Sequence, residues 1–225
     1  MKVERFFDQI SAEYNGMIAR CVPRYAEMLW ALFYYLPADF RPQRILELGC
    51  GTGNLSEQVR LYFPEARLHL TDISPEIIAQ CQKRLGERPE ISYEQADFKD
   101  LRYAPGSFDL VVSTISLHHL PDAEKALLFG RIVEWLRPGG IFTYSDQFRG
   151  ATEELYGQHM ARWKEEAMRL GSNEAEWQTW MDHQDANDHH ATLVQQLTWL
   201  QAAGFAEIDV PWRYVLWTVM RATKP

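Results

Sequence analysis

From residue 43 the chain alternates short apolar runs with longer stretches of helical period, the pattern of parallel strands joined by crossover helices. The runs RILEL (44–48), RLHLT (67–71), ISYEQ (91–95), FDLVVST (108–114) and GIFTYS (140–145) predict five strands. The more nearly continuous of these runs predict strands with both faces covered. Helices are expected between them at about 54–62, 75–85 and 122–136. Ser74 offers a capping hydroxyl ahead of Pro75 at the first helical position, and Pro121-Asp122 opens the next helix in a similar way.

Residues 3–36, ahead of this core, read as one or two amphipathic helices interrupted near Asn15-Gly16 and Val22-Pro23. Behind it, 147–190 predicts a polar helical insertion. The stretch TLVQQLTWLQAAGF then forms a last helix, with Thr192 and Gln195 as a capping box and Gly204 as the stop. AEIDVPW and YVLWTVMRA lie close enough to pair as an antiparallel hairpin. No repeat, low-complexity tract or linker divides the chain, so one domain is expected over 1–225. Its parts are a helical cover (1–42), a core (43–146), a lid (147–190) and the last helix with its hairpin (191–225).

Composition narrows the partners. With 46% hydrophobic residues in 225 the chain can bury one substantial core, and a net charge of −8 gives no general attraction to nucleic acid or anionic membrane. Cys21, Cys50 and Cys81 form no C-x-x-C pair, which fits reduced thiols in a cytoplasm. The apolar run MLWALFYYL (28–36) is too short to span a bilayer, and MKVERFFDQ lacks a signal-peptide core. The segment 30–36 suits either the core or a homodimer interface.

Candidate chemistry begins where the first strand runs into ELGCGTGNLS (47–56). Glycines at 49, 51 and 53 permit a tight turn and close approach of a ligand, but the spacing is G-x-G-x-G, with Asn at 54 where a dinucleotide fingerprint has glycine. Glu47 before the loop suits an amino group rather than a phosphate, which points to a nucleoside carrying an amino acid. Asp72 at the second strand end suits ribose hydroxyls. Asp97-Phe98 after the third offers an acceptor for an exocyclic amine and a ring face.

With ELGCGTG, LTDIS, QADF, STISLHHL and LRPGG in this order, the chain resembles the class I S-adenosylmethionine-dependent methyltransferases over about residues 43–146. The resemblance implies a Rossmann-like, doubly wound α/β fold, with a seven-stranded, mostly parallel sheet, an antiparallel last strand and a helical lid. It also implies S-adenosylmethionine as cofactor and S-adenosylhomocysteine as product. Carried over residue by residue, it assigns Gly49, Gly51, Asp72, Asp97 and Phe98 to the cofactor, with Glu47 close by and Cys50, Gly53, Ile73 and Ser113 beside them. FDQISAEYN (6–15) looks like the family's N-terminal helix, in which Tyr14 covers the methionine end.

Methyl transfer needs an aligned nucleophile and, for some acceptors, removal of a proton. Ligands of open α/β sheets bind at the carboxyl ends of the strands, which makes His118, His119 and Asp146 the catalytic candidates. Gln147, Trp163, Trp180, His183 and Asp185 are the acceptor candidates. The insertion is rich in acids and aromatics and 170–212 has no Lys or Arg, so a small-molecule acceptor, and among these an amine or a cation, is the expectation. HQDANDHH (183–190) clusters histidine and aspartate at irregular spacing, and no metal is expected there.

FDQI, CVPRY, TDISPEIIAQC, SDQF and LQAAGF are also similar to segments of carboxy-S-adenosylmethionine synthase-like proteins. Those synthases hold the extra carboxylate of their product with an arginine upstream of the last helix, where this chain has no basic residue. Plain methyl transfer is therefore expected, with synthase activity, RNA methylation and non-catalytic cofactor binding as alternatives.

Overall fold

The computed structural model describes residues 14–225, with side chains from Gly16 onward. Strands β1 (Arg44–Leu48), β2 (Arg67–Asp72), β3 (Ile91–Gln95), β4 (Phe108–Thr114), β5 (Leu136–Gln147), β6 (Ala206–Tyr214) and β7 (Trp217–Thr223) form one seven-stranded sheet. Their order is β3-β2-β1-β4-β5-β7-β6. β1 to β5 pair in parallel, while β7 enters antiparallel between β5 and β6. The expected strands, hairpin and reversed last strand are all present.

Helices α1 (Tyr14–Cys21), α2 (Tyr25–Tyr34), α3 (Asn54–Tyr62), α4 (Pro75–Leu85), α5 (Asp122–Trp135), α6 (Glu153–Arg169), α7 (Glu174–Asn187) and α8 (Leu193–Ala203) surround the sheet. Consecutive strand residues point to opposite faces, and the core divides accordingly. Ile45, Leu110, Ile141 and Val219 pack on the side of α2 and α3, whereas Leu46, Val111, Phe142 and Met220 pack on the side of α5 and α8. Burial on both faces explains the unbroken apolar character of FDLVVST.

Local signals act as the sequence implies. The Ser74 hydroxyl accepts from Ile77 N at 3.1 Å with Pro75 at the helix start, Thr192 and Gln195 complete a capping box, and Gly204 ends α8 at φ 98°. Helix α1 as described begins at Tyr14 and holds Asn15-Gly16 in its first turn, with Met17, Ile18 and Cys21 burying one face. Two local expectations need correction. Pro121 sits at the N-cap of α5, one place earlier than Pro75 in α4, and supplies no side-chain cap. Strand β5 starts at Leu136, which pairs with Phe108, and resumes at Ile141 opposite Leu110, so that Arg-Pro-Gly-Gly bulges out of the ladder.

In the segment 30–36, Ala31, Leu32 and Phe33 are core, whereas Trp30, Tyr34 and Tyr35 are exposed. No helix among the described residues is long and apolar enough to cross a membrane.

At the amino edge of the sheet the buried Asp109 ties β1 to β4. Its Oδ2 accepts from Gln43 N at 2.7 Å and Arg44 N at 2.8 Å, and its other oxygen pairs with Arg137. Asp109→Ala leaves these donors without their acceptor and is expected to lower stability by about 2–4 kcal/mol, read from urea unfolding.

Candidate active site

All the chemistry lies at the carboxyl edge, where β1 to β5 end in loops. After β1 the backbone turns so tightly that Gly49 takes φ +69°, and a Cβ there would stand 1.8 Å from Ser116 Oγ. Asp72 fixes this loop from the neighbouring strand, its Oδ2 accepting from Gly51 N at 3.0 Å while Oδ1 accepts from Ser74 N at 3.0 Å. Helix α3 starts directly behind the loop at Asn54. The result is a cleft enclosing about 1020 Å³ of space, its mouth included, of ligand-binding size.

Gly49, Cys50, Gly51, Asp72, Ile73, Asp97 and Phe98 line this cleft. Asp97 receives Lys99 N at 3.0 Å and pairs with Lys99 Nζ at 3.0 Å. Three other positions assigned to it lie elsewhere. Gly53 is the left-handed N-cap of α3 and faces Cys81. Ser113 is fully buried and donates to Leu48 O at 2.8 Å. Glu47 is buried and absent from the cleft wall. Tyr14 belongs to α1, but its side chain lies outside the described residues, as does FDQI.

The cleft wall also takes Ile18, Tyr25, Asn54 and Ser116, which sequence reasoning missed. Ile18 and Tyr25 reach it only because α1 and α2 fold over the sheet edge, and no local motif announces that. Burial pushes the Tyr25 hydroxyl up to about 12.

Just after β4, Ile115 adopts φ 49°, a costly conformation for a β-branched residue, and its N–H bonds Ser145 O at 2.8 Å. It lines both the cleft and a second, smaller cavity behind it. The paired histidines that follow separate the two spaces: His119 faces the cleft, whereas His118 faces the second cavity. The single 3₁₀ turn Leu117–His119 gives each of these adjacent rings its own pocket.

The second cavity is lined by Trp163, Trp180, Trp217, Gln147, Gln184 and Asp188, together with Cys21, Val22, Ile115 and His118. Gln147, Trp163 and Trp180 thus share this cavity. Asp185 is exposed on α7, one helical face away, and the inward acid is Asp188, just past the helix end. His183 is buried against Asp188 rather than on the cavity wall.

The stretch 183–190 folds back against the histidine pair. His189 N donates to His118 O at 2.7 Å, and the buried Lys125 donates to His189 O. Asp188 then meets four rings: His119 Nδ1 at 2.9 Å, and His118, His183 and His190 Nε2 each at 3.7 Å. On its far side His118 Nδ1 lies 2.5 Å from Asp146 Oδ1, and its backbone N–H donates to Asp146 Oδ2 at 2.9 Å. Burial opposes charge on His118, but the Asp146 and Asp188 carboxylates outweigh it and raise its pKa to about 9. Asp146 is held below the usual carboxylate range despite its burial, chiefly by the charge of His118. Burial lowers His119, and takes His183 down to about 4 and His190 to about 3, so these three rings are neutral at neutral pH.

Residues 45–140 match a family described as "Methyltransferase domain". A carboxy-S-adenosyl-L-methionine synthase from Aeromonas hydrophila is 31% identical over 150 residues, 64% of this chain and 59% of that protein. A trans-aconitate 2-methyltransferase from Deinococcus radiodurans is 37% identical over 98 residues, 44% of this chain and 35% of that protein. The chain therefore spans less than two thirds of the length of these relatives. In fold it matches a phosphoethanolamine N-methyltransferase 2 of Haemonchus contortus, solved with phosphomonomethylethanolamine and S-adenosylhomocysteine. The TM-score is 0.68 at 18% identity, covering 100% of this chain and 60% of that one. Residues 45–140 thus carry a methyltransferase domain, and these matches support the class I S-adenosylmethionine-dependent methyltransferases, whose cofactor is S-adenosylmethionine.

Neither carboxyl oxygen of Glu47 has a hydrogen-bond partner, and burial, with Cys81 and Asp72 nearby, holds its pKa well above the usual range. The unfolded chain releases this proton at a lower pH than the folded one, so the group contributes full stability only below about pH 4.5 and loses it as pH rises. Glu47→Gln removes the dependence. The stability of E47Q relative to the wild type is expected to be higher at pH 8 than at pH 5, measured by urea unfolding at both.

Proposed function

We propose that the protein transfers the methyl group of S-adenosylmethionine to a small-molecule acceptor held in the tryptophan-lined cavity. The observation that carries this reading is the arrangement of two spaces that share Ile115 and are separated by His118 and His119. The cofactor supplies an electrophilic methyl on a sulfonium; the chain has to bind it, align the acceptor and receive any proton that leaves.

The cleft residues fit that cofactor. Asp72 and Asp97 provide acceptors for ribose hydroxyls and an amine, Phe98 and Ile73 provide apolar faces, and Gly49 and Gly51 let the backbone approach closely. Cys50 forms part of the same wall. His118, His119 and Asp146 form the reacting side of the partition, with the Asp146 carboxylate orienting the His118 ring. Gln147, Trp163 and Trp180 hold the acceptor. Among the described residues no Lys or Arg lines the second cavity, and its indole rings and the Asp188 carboxylate suit an amine or a cation. The amine acceptor of the Haemonchus contortus protein agrees with that class.

The resemblance to carboxy-S-adenosylmethionine synthases supports a second reading. That activity requires a cation for the extra carboxylate, and among the described residues neither cavity wall offers Lys or Arg. We place the protein in the cytoplasm, in keeping with its three buried free thiols. We assign a homodimer contact to the exposed Trp30, Tyr34 and Tyr35, which light scattering would detect.

Methyl-labelled S-adenosylmethionine with a panel of small amines and neutral acceptors tests the reading. Label is expected in small molecules with matching release of S-adenosylhomocysteine, and label in RNA would overturn it. Cofactor binding without transfer would favour the synthase or binding-protein alternative, and mass analysis of the nucleoside product separates the two. Asp72→Ala is expected to weaken cofactor binding at least about tenfold by calorimetry. Asp146→Asn is expected to lower kcat about 10²–10⁴-fold with cofactor affinity preserved.

A further inference from the structure

The buried histidine–aspartate cluster has a geometry that methyl transfer does not require. One donor atom from each of His118, His119 and Asp188 lies within 4.8 Å of the other two. His118 Nε2 and His190 Nε2 both stand 3.7 Å from Asp188 Oδ2, and His183 Nε2 stands 3.7 Å from Oδ1. These separations are too long for hydrogen bonds. They are close to the roughly 3.0–3.5 Å that separates two donors of one ion bound at about 2.1 Å. His190 supplies an independent observation: its side chain is 4% exposed, and its Nε2 has no hydrogen-bond partner.

We propose that His118, His119 and Asp188 hold a first-row divalent transition-metal ion, with the His190 ring packed beside Asp188 Oδ2. Two imidazoles and one carboxylate are a donor set for iron(II), manganese, cobalt or zinc rather than for calcium or magnesium. The outer ring atoms are placed as a metal site requires. His118 Nδ1 is held by the Asp146 carboxylate at 2.5 Å and His190 Nδ1 by the Tyr156 hydroxyl at 3.3 Å, which fixes both rings with Nε2 toward Asp188.

Two carboxylates, Asp146 and Asp188, meet at the His118 ring from opposite sides. Access exists from both sides, since His119 faces the cofactor cleft while His118 and Asp188 face the tryptophan-lined cavity. The ion would therefore sit on the partition, where it can orient a nitrogen or oxygen donor of whatever enters that cavity. This departs from the sequence expectation of no metal, which rested on the irregular spacing of 183–190, on chemistry that requires no metal and on the lack of a second ligand cluster in the sequence. It does not depend on the methyl-transfer reading.

The test uses the full chain stripped with a chelator, then titrated with Co²⁺ followed by visible absorption, with elemental analysis after reconstitution with Zn²⁺, Mn²⁺ or Fe²⁺. About one ion per chain is expected. Affinity should fall at least about tenfold in Asp188→Asn and His119→Gln, and about 10–100-fold in Asp146→Asn, which touches only the ring held by the ion. His159→Gln, outside the cluster, should bind as the wild type does. Failure of the folded, stripped wild type to retain any of these ions overturns the proposal, as does unchanged binding in Asp188→Asn. If a variant does not fold, the wild-type Co²⁺ spectrum decides, because histidine and carboxylate ligation gives visible bands that the hydrated ion lacks. Calorimetry with S-adenosylmethionine on the same samples separates the two readings. Cofactor binding without metal binding removes the ion alone, and metal binding without cofactor binding removes the methyl-transfer reading alone.

Discussion

A parallel sheet covered on both faces has only its strand ends free to carry polar groups, and that constraint orders the rest of this molecule. Ile45 and Leu46, Leu110 and Val111, Ile141 and Phe142 bury opposite faces of the same strands, so no ligand can approach through the sheet. The amino edge is closed by Asp109 acting on the backbone of Gln43 and Arg44. The carboxyl edge is left to the loops after β1 to β5, and the glycine loop, Asp72, Asp97, the histidine pair and Asp146 all stand there.

The elements added to this core complete the site rather than merely cover it. Helices α1 and α2 bring Ile18 and Tyr25 to the cleft, and α6 and α7 bring Trp163 and Trp180 to the cavity behind it. Their attachment to the core depends on the return of 188–191 across the end of β4 and β5, through His189 N on His118 O and Arg149 N on Ala191 O. Burying Asp188 at this joint is acceptable only because four imidazoles surround it, and the burial of those rings in turn depends on the joint being closed. Ile115 holds its left-handed conformation at the same place, between a fixed backbone bond to Ser145 and the two cavities it divides.

Most of the core was legible in the sequence. Strand positions, the Ser74 cap, the capping box of α8 and the Gly204 stop are set by interactions within a few residues, and apolar run length reports burial directly. Gly49, Gly51, Asp72 and Asp97 were legible for the same reason, because each is tied to the end of one strand and the strands are evident. The packing of α1 was not, since it depends on what its buried face meets across the fold. The bulged start of β5 was hidden too, because Arg-Pro-Gly-Gly reads as a turn until Phe108 is seen to pair with Leu136.

The sequence by itself determined the order of strands and helices, the glycine loop and the row of acids at the strand ends. Tertiary structure decided which of two neighbouring groups faces inward. It chose Asp188 over Asp185, sent His118 and His119 to different cavities, and buried Glu47 beneath the loop it precedes. The physical reason is that a side chain's direction in a loop or at a helix end is fixed by what packs against it, here segments more than sixty residues apart in the chain. Composition placed three histidines and two aspartates in 183–190; only the closing of that segment on β4 and β5 brought His183, His190 and Asp188 together with His118 and His119.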